Sequence, residues 1–277
     1  MPCFKFSQVN VFSADPFLGN PLAVVHAADD LSTDQMAAIA RWTNLSETVF
    51  LITPTNPAAD YAVRIFSPQV ELPFAGHPTL GSCHAWLAAG GTPKNADRVV
   101  QQCEVGLVNI RKDGAQLEFA APALMRTGPL EDEVLSQIMA ALSLVPSDIA
   151  HHQWVDNGPG WCAIMLHSAR DVLALEPEWA ALAPLNLGVI GLHEAGAEAT
   201  VEVRSLIGDG GYEDPVTGSL NASLAQWLIP TGLVSSPYVA AQGTRLERAG
   251  RVTLREQAGD VWVGGEVVDV IRGDITV

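Results

Sequence analysis

The chain is poor in positive charge: 15 Lys and Arg stand against 31 Asp and Glu, for a net charge of −16. Nucleic acids and anionic membrane surfaces are bound through basic patches, so neither is expected as a partner. Cysteine is scarce as well. Cys3, Cys83, Cys103 and Cys162 are scattered with no CxxC or CxH spacing, a pattern that fits neither a zinc site nor a disulfide framework. No run of 18 uninterrupted apolar residues occurs, and no apolar segment follows a basic N-terminal stretch. Neither a membrane span nor an export signal is therefore read, and a reduced, cytoplasmic protein is expected. A Gly-rich dinucleotide loop, a P-loop, a GxSxG elbow and a lysine in a Schiff-base setting are also missing, so no metal and no organic cofactor is expected.

Apolar residues, by contrast, are plentiful. They make up 48% of 277 residues, and the mean hydropathy is +0.19. A chain of this length exceeds the usual single core, and two domains are expected. An internal echo agrees. Glu71-Leu-Pro-Phe-Ala-Gly-His-Pro-Thr-Leu-Gly-Ser82 is matched in the other half by Tyr212-Glu-Asp-Pro-Val-Thr-Gly-Ser219, with Glu71 on Glu213 and Gly76 on Gly218 at an offset of 142. Further on, Ser82, Trp86 and Leu87 meet Ser223, Trp227 and Leu228 at an offset of 141. Each copy is an acidic Pro-containing turn, a Gly, small hydroxyl residues, then an apolar run ending in Trp-Leu.

Around these copies the pattern predicts strands over about 5–12, 22–26, 46–52, 61–66, 98–103, 107–111 and 116–120, then 151–155, 161–167 and 200–206. A hairpin near 252–255 and 261–263 closes the second half. Ser32 and Gln35 form a capping box for a helix to about Thr43, ended by a left-handed Asn44. Another helix covers about 131–142, and 170–185 is read as helical. The runs 78–89 and 219–228 are apolar nearly all round, so each is a helix enclosed by protein. Strand–helix alternation of the parallel type is not seen. The predicted fold class is α+β: two pseudo-symmetric lobes, each a barrel-like, mostly antiparallel sheet around a central helix. The lobes are read as 1–122 and 123–265, with the last strand, about 266–277, returning to the first.

A Gly at a helix start leaves backbone N–H groups pointing outward, where they and the helix dipole favour an anion. Gly76 and Gly218 both fit this pattern, or they are ordinary turns before core helices. Glu47 opens an apolar strand between Ser46 and Thr48. It is either a half-desolvated general acid/base or a surface strand-end carboxylate. His77 follows Gly76, where it meets a bound anion or serves as a structural hydrogen-bonding residue. Asp214 either accepts protons from a substrate amine or caps the second helix. Thr217 and Ser219 supply donors, and Asn20 and Asp209 are weaker candidates in Gly-flanked turns. His84, His151, His152 and Cys83 are read as structural.

The ordered motifs Val11-Phe-Ser-Ala-Asp-Pro-Phe-Leu-Gly-Asn-Pro-Leu-Ala-Val-Val25, Leu45-Ser-Glu-Thr-Val-Phe50, Arg64-Ile-Phe-Ser-Pro68, Phe74-Ala-Gly-His-Pro-Thr79 and Glu213-Asp-Pro-Val-Thr-Gly-Ser219 resemble the phenazine-biosynthesis PhzF-like isomerases. The resemblance runs on to Gln242-Gly and Gly264-Gly265. It implies a diaminopimelate epimerase-like fold, an active site between the lobes and a homodimer. It also implies that Glu47 is the acid/base, that His77, Asp214 and Ser219 position a small-molecule substrate, and that Gly76 and Gly218 line the cleft. Epimerases of this fold use two thiols, each just before the helix-start Gly. Here those positions hold Ala75 and Thr217. One Glu returning a proton to the face it came from is then expected, as in the 1,3-shift on dihydro-hydroxyanthranilate of the phenazine pathway. A racemase or epimerase, and a non-catalytic metabolite-binding protein, are the alternatives. The stretch Arg204-Ser-Leu-Ile-Gly-Asp-Gly-Gly-Tyr212 departs from the family pattern, which leaves substrate identity open.

Overall fold

The computed structural model describes residues 1–114 and 116–277. The chain folds as two compact units, Met1–Ala120 together with Gly264–Val277, and Ala121–Val263. The first holds β1 (Cys3–Val11), β2 (Asn20–Val25), α1 (Thr33–Thr43), β3 (Thr48–Ile52), β4 (Tyr61–Phe66), β5 (Glu71–Leu72), α2 (Gly76–Ala88), β6 (Arg98–Cys103), β7 (Gly106–Asp113) and β8 (Gln116–Ala120). The second holds α3 (Asp132–Leu142), β9 (Ile149–Trp154), β10 (Trp161–Leu166), α4 (Ala169–Ala174), α5 (Trp179–Leu182), β11 (Asn186–Leu192), β12 (Val201–Ile207), β13 (Tyr212–Asp214), α6 (Gly218–Leu228), β14 (Tyr238–Gln242), β15 (Gly250–Gln257) and β16 (Asp260–Gly265). From Gly264, within β16, the chain re-enters the first unit, where it forms β17 (Val267–Thr276).

In the first unit the ladder runs β17, β1, β2, β3, β4, β6, β7, β8, with β5 also on β4. In the second it runs β9, β10, β11, β12, β14, β15, with β13 on β12. Strand for strand the two agree: β1 to β6 correspond to β9 to β14, and α2 to α6. The duplication thus extends well beyond the two motifs that announced it.

Three expectations need correction. The pairs β2–β3 and β10–β11 are parallel and are bridged by α1 and by α4–α5, so parallel strand–helix–strand units are present after all. In the first unit the strands and α1 were read but their pairing was not, since pairing is set by tertiary contacts, and in the second β11 itself went unread. The stretch read as one helix over 170–185 is two short helices. The strands β11 and β14 were not foreseen. In β11 the cause is Gly188 and Gly191, which weaken a strand pattern. A Cβ on Gly188 would lie 2.6 Å from Leu220 of α6, so this Gly exists to let helix and sheet close up.

Both central helices sit where their composition demands. Leu80, Cys83, Leu220 and Leu224 have 1% exposure or less, and each fully buried side chain of this size stabilises the fold by about 1.5–3 kcal/mol. Gly81 lets α2 approach β1 and β2, since a Cβ there would be 2.5 Å from Leu22. The last turn of α2 emerges from the core, with Ala88 exposed. On α1 the foreseen capping box is present, Met36, Ile39 and Ala40 face the core, and Asn44 is left-handed at φ 52°.

Candidate active site

The turn between α1 and β3 carries Glu47. It is held at both ends: Thr43 Oγ1 donates to the Ala40 carbonyl at 3.0 Å and lies 2.8 Å from Thr48 Oγ1. Thr48 is fully buried and paired with both Ala23 and Phe66. The Glu47 side chain keeps 17% exposure, and its Oε2 lies 3.3 Å from Nδ1 of His77.

His77 is the second residue of α2 and is buried. Burial pushes its imidazole pKa down to about 3, against the opposing pull of the Pro21 carbonyl. At neutral pH the ring is therefore uncharged, with one N–H and one lone pair. A neutral ring puts no cation beside the Glu47 carboxyl, so the carboxyl is not locked as one half of a permanent ion pair. Asn20, fully buried at the start of β2, brings Nδ2 to 3.5 Å from the same Nδ1. His77 Nε2 is buried and has no hydrogen-bond partner among the described residues. Pro78 has no N–H, so the outward donors of this helix start are those of Gly76 and His77.

Ahead of it, Arg64 of β4 grips Glu71 of β5 with both Nε and Nη2, at 2.6 Å each. In the second unit Arg204 of β12 grips Glu213 of β13 at 3.0 and 2.7 Å. The second pair is almost wholly buried, and Arg204 Nη1 also reaches the carbonyls of Val172 and Leu175. The atypical stretch 204–212 is thus a tight hairpin braced by an ion pair.

The second helix start is organised differently. Asp214, buried at 8% exposure, accepts from Thr217 Oγ1 at 2.5 Å. Thr217, not Asp214, is the N-cap residue of α6. The fully buried Gln242 fixes the geometry. Its Oε1 accepts from Thr217 N at 3.0 Å and Asn221 Nδ2 at 2.7 Å, and its Nε2 donates to Thr217 Oγ1 at 3.0 Å and the Asp214 carbonyl at 3.1 Å. Because Nε2 donates to the Thr217 hydroxyl, that hydroxyl must spend its own proton on Asp214. The Thr217 N–H is consequently taken, which leaves Gly218 and Ser219 as the outward donors. Ser219 Oγ accepts from Trp161 Nε1 at 3.1 Å, and its carbonyl accepts from Asn157 at 2.9 Å.

The structure therefore brings Glu47, His77, Asn20 and Gly76 together in one unit, and Asp214, Thr217, Gly218 and Ser219 together in the other. Asp209 is exposed in the hairpin turn, away from these groups. Gln242 was missed as a site residue, and so was its counterpart Gln101, which bonds Tyr61, Ser82 and Thr79. They stand 141 residues apart, the same offset as Ser82 and Ser223, and that coincidence was the available signal. The thiols are unsuited to proton abstraction: burial pushes Cys83 and Cys162 up to about 12 and raises Cys103. Among the described residues no group of three or more His, Cys, Asp or Glu is placed to hold a metal ion. No helix among them is long and apolar enough to cross a membrane.

Comparison with known proteins adds an independent line. A sequence model described as phenazine biosynthesis-like protein matches residues 9–273. Antisense-enhancing sequence 1 of Schizosaccharomyces pombe is 36% identical, with 97% of each chain covered. The trans-2,3-dihydro-3-hydroxyanthranilate isomerase of Pseudomonas chlororaphis is 33% identical over 96% of this chain and 97% of its own. Among solved structures, a phenazine biosynthesis protein of the PhzF family from Enterococcus faecalis superposes with a TM-score of 0.83 at 23% identity, over 100% of both chains.

Proposed function

The chain belongs to the phenazine biosynthesis-like family and is an isomerase, and from that premise we propose that Glu47 moves a proton between two carbons of a small, amino-bearing cyclic carboxylic acid without a cofactor. The observation that carries this reading is the contact of 3.3 Å between Glu47 Oε2 and Nδ1 of a buried, neutral His77. The carboxylate takes a proton from one carbon, the electron pair spreads into an extended enolate, and the carboxylic acid so formed returns the proton to another carbon. Charge developing on the substrate is met by donors fixed beforehand: the helix-start N–H groups of Gly76 and His77. His77 Nε2, with its lone pair, accepts from a substrate N–H or O–H, while the Nδ1–H side of the ring faces Glu47. Asp214, oriented by Thr217 and Gln242, binds the substrate amine, while Gly218 and Ser219 donate to its carboxylate.

With no thiolate at Ala75 or Thr217 and the buried cysteines held protonated, a two-base inversion of an amino acid is disfavoured. Relatives that act on trans-2,3-dihydro-3-hydroxyanthranilate make this compound the first substrate to try. A cytoplasmic biosynthetic role and a homodimer complete the reading. The test is incubation of such acids in heavy water. Deuterium is expected to enter the substrate skeleton, and Glu47→Gln is expected to lower the exchange rate by about 10²–10⁴-fold. Near-normal exchange by that variant would remove Glu47 from the chemistry.

A further inference from the structure

In each unit the strand that leads towards the central helix begins with a side chain facing the second residue of that helix. Asn20 opens β2 and faces His77, whereas Trp161 opens β10 and faces Ser219. Asn20 and Trp161 are 141 residues apart, and His77 and Ser219 are 142 apart, which are the two offsets of the duplication itself. The same reach from strand start to helix start is thus made twice, and in the second unit an indole makes it.

An indole N–H can only donate. Trp161 Nε1 gives its proton to Ser219 Oγ at 3.1 Å, so Ser219 cannot direct its own proton there. Among the described residues no acceptor takes that proton. The other hydroxyl of this helix start is in the opposite state, since Thr217 has spent its proton on Asp214. Ser219 is half-buried and open to a ligand. Donation from the indole makes its O–H the stronger donor, because linked hydrogen bonds polarise one another. Such a donor gains most from an acceptor that carries charge.

The indole is fixed from behind. Trp161 is 3% exposed, and its carbonyl accepts from the Val155 N–H at 3.0 Å. The loop before it is closed on itself. Asp156 Oδ1 accepts from the N–H groups of Gly158 and Gly160 at 2.8 and 2.7 Å, and Asn186 Nδ2 donates to the Pro159 carbonyl at 2.7 Å. The same loop sends Asn157 Nδ2 to the Ser219 carbonyl at 2.9 Å. Ser219 is therefore gripped through its backbone by Asn157 and through its side chain by Trp161, which leaves the O–H proton as the part still to be used.

We propose that Trp161 is a positioning residue that makes the Ser219 hydroxyl a donor to the substrate carboxylate, and so sets a preference for a carboxylate over a carboxamide of the same shape. This rests on the proposed function, in which Ser219 binds that carboxylate. The probes are 2-aminobenzoate and 2-aminobenzamide, flat amino-bearing rings that differ only in the charged group, with binding followed by calorimetry on the full chain. The wild type is expected to bind the acid at least about tenfold more tightly than the amide. Trp161→Phe keeps an aromatic ring in place and removes the N–H. It is expected to weaken the acid about fivefold or more and the amide less than about twofold. In a Ser219→Ala background the same change is expected to cost the acid nothing further, since the group through which the indole acts is gone. In the wild type, the Trp161 indole N–H resonance is expected to shift with the acid and not with the amide, a readout that needs no variant to fold. A wild type that binds neither probe, or both equally, would overturn the substrate reading and this inference with it. A wild type that prefers the acid would overturn the inference alone if Trp161→Phe weakened both probes alike or neither, if the losses added in the double variant, or if the indole resonance did not distinguish the probes.

Discussion

The acid/base proposed here depends on a histidine kept neutral by burial, and that state leaves a thermodynamic trace. The His77 pKa lies at about 3 in the folded chain, against about 6.5 when unfolded. Between those values the unfolded chain binds one more proton than the folded one. The stabilising contribution is therefore complete above pH 6.5 and is lost as the pH falls towards 3. Each pH unit inside this window costs about 1.4 kcal/mol. Urea unfolding at pH 6.5 and 4.5 should show the wild type losing about 2 kcal/mol more than His77→Asn, which has no such group to protonate. Equal losses in the two proteins would mean that His77 titrates normally and that its ring carries charge beside Glu47. The structural settings of Glu47, His77, Asp214 and Ser219 were legible because each lies in a motif whose backbone is dictated locally, by a helix start or a strand start. Gln101 and Gln242 were not. A Gln inside a strand carries no local signal, and its role appears only when residues far along the chain converge on both ends of its amide.

The two Arg–Glu hairpin pairs show how burial decides the worth of one motif used twice. Arg64 and Glu71 keep 28% and 31% exposure, whereas Arg204 and Glu213 keep 4% each. An ion pair near water contributes about 0–1 kcal/mol. Removing one partner of a buried pair strands the other charge and costs about 3–5 kcal/mol. Chemical denaturation of Arg64→Met and Arg204→Met should reproduce that contrast, with the second variant far the less stable. Similar small losses in both would show that Glu213 finds water or a proton when Arg204 is gone. The sequence displayed both arginines, one of them among apolar neighbours, but not their partners. Cross-strand pairing depends on register, and register depended on hairpins of which the second was hidden in a stretch rich in Gly. Glycine likewise hid β11, while the capped, periodic α1 was placed to within a residue.

Duplication has copied the framework but not the chemistry. The order of strands, both parallel pairs, the hairpin ion pair and the Gln brace recur in each unit, yet the position before β3 is Glu47 and that before β11 is Leu185. The partner of Glu47, His77, falls on Ser219 at the offset of 142. In the proposed function one half specialised as proton carrier while the other kept hydroxyl and carboxylate binding groups. The units are also built unequally, because the first is completed only by the end of the chain. Ile275 and Val277 of the C-terminal segment pack on the cluster of Phe4, Val25, Met36 and Phe50, and β17 supplies the whole ladder on one side of β1. A chain ending at Glu266 would expose that cluster and leave β1 as a raw edge. The apolar burial lost is on the order of 5 kcal/mol, comparable with the entire stability of many domains. Hydrogen exchange of the truncated chain should therefore show the amides of β1 and β2 losing protection while those of β10 and β12 keep theirs. Uniform loss in both sets would mean that the two units unfold as one cooperative body, and unchanged protection of β1 would mean that β17 is dispensable to the core it covers.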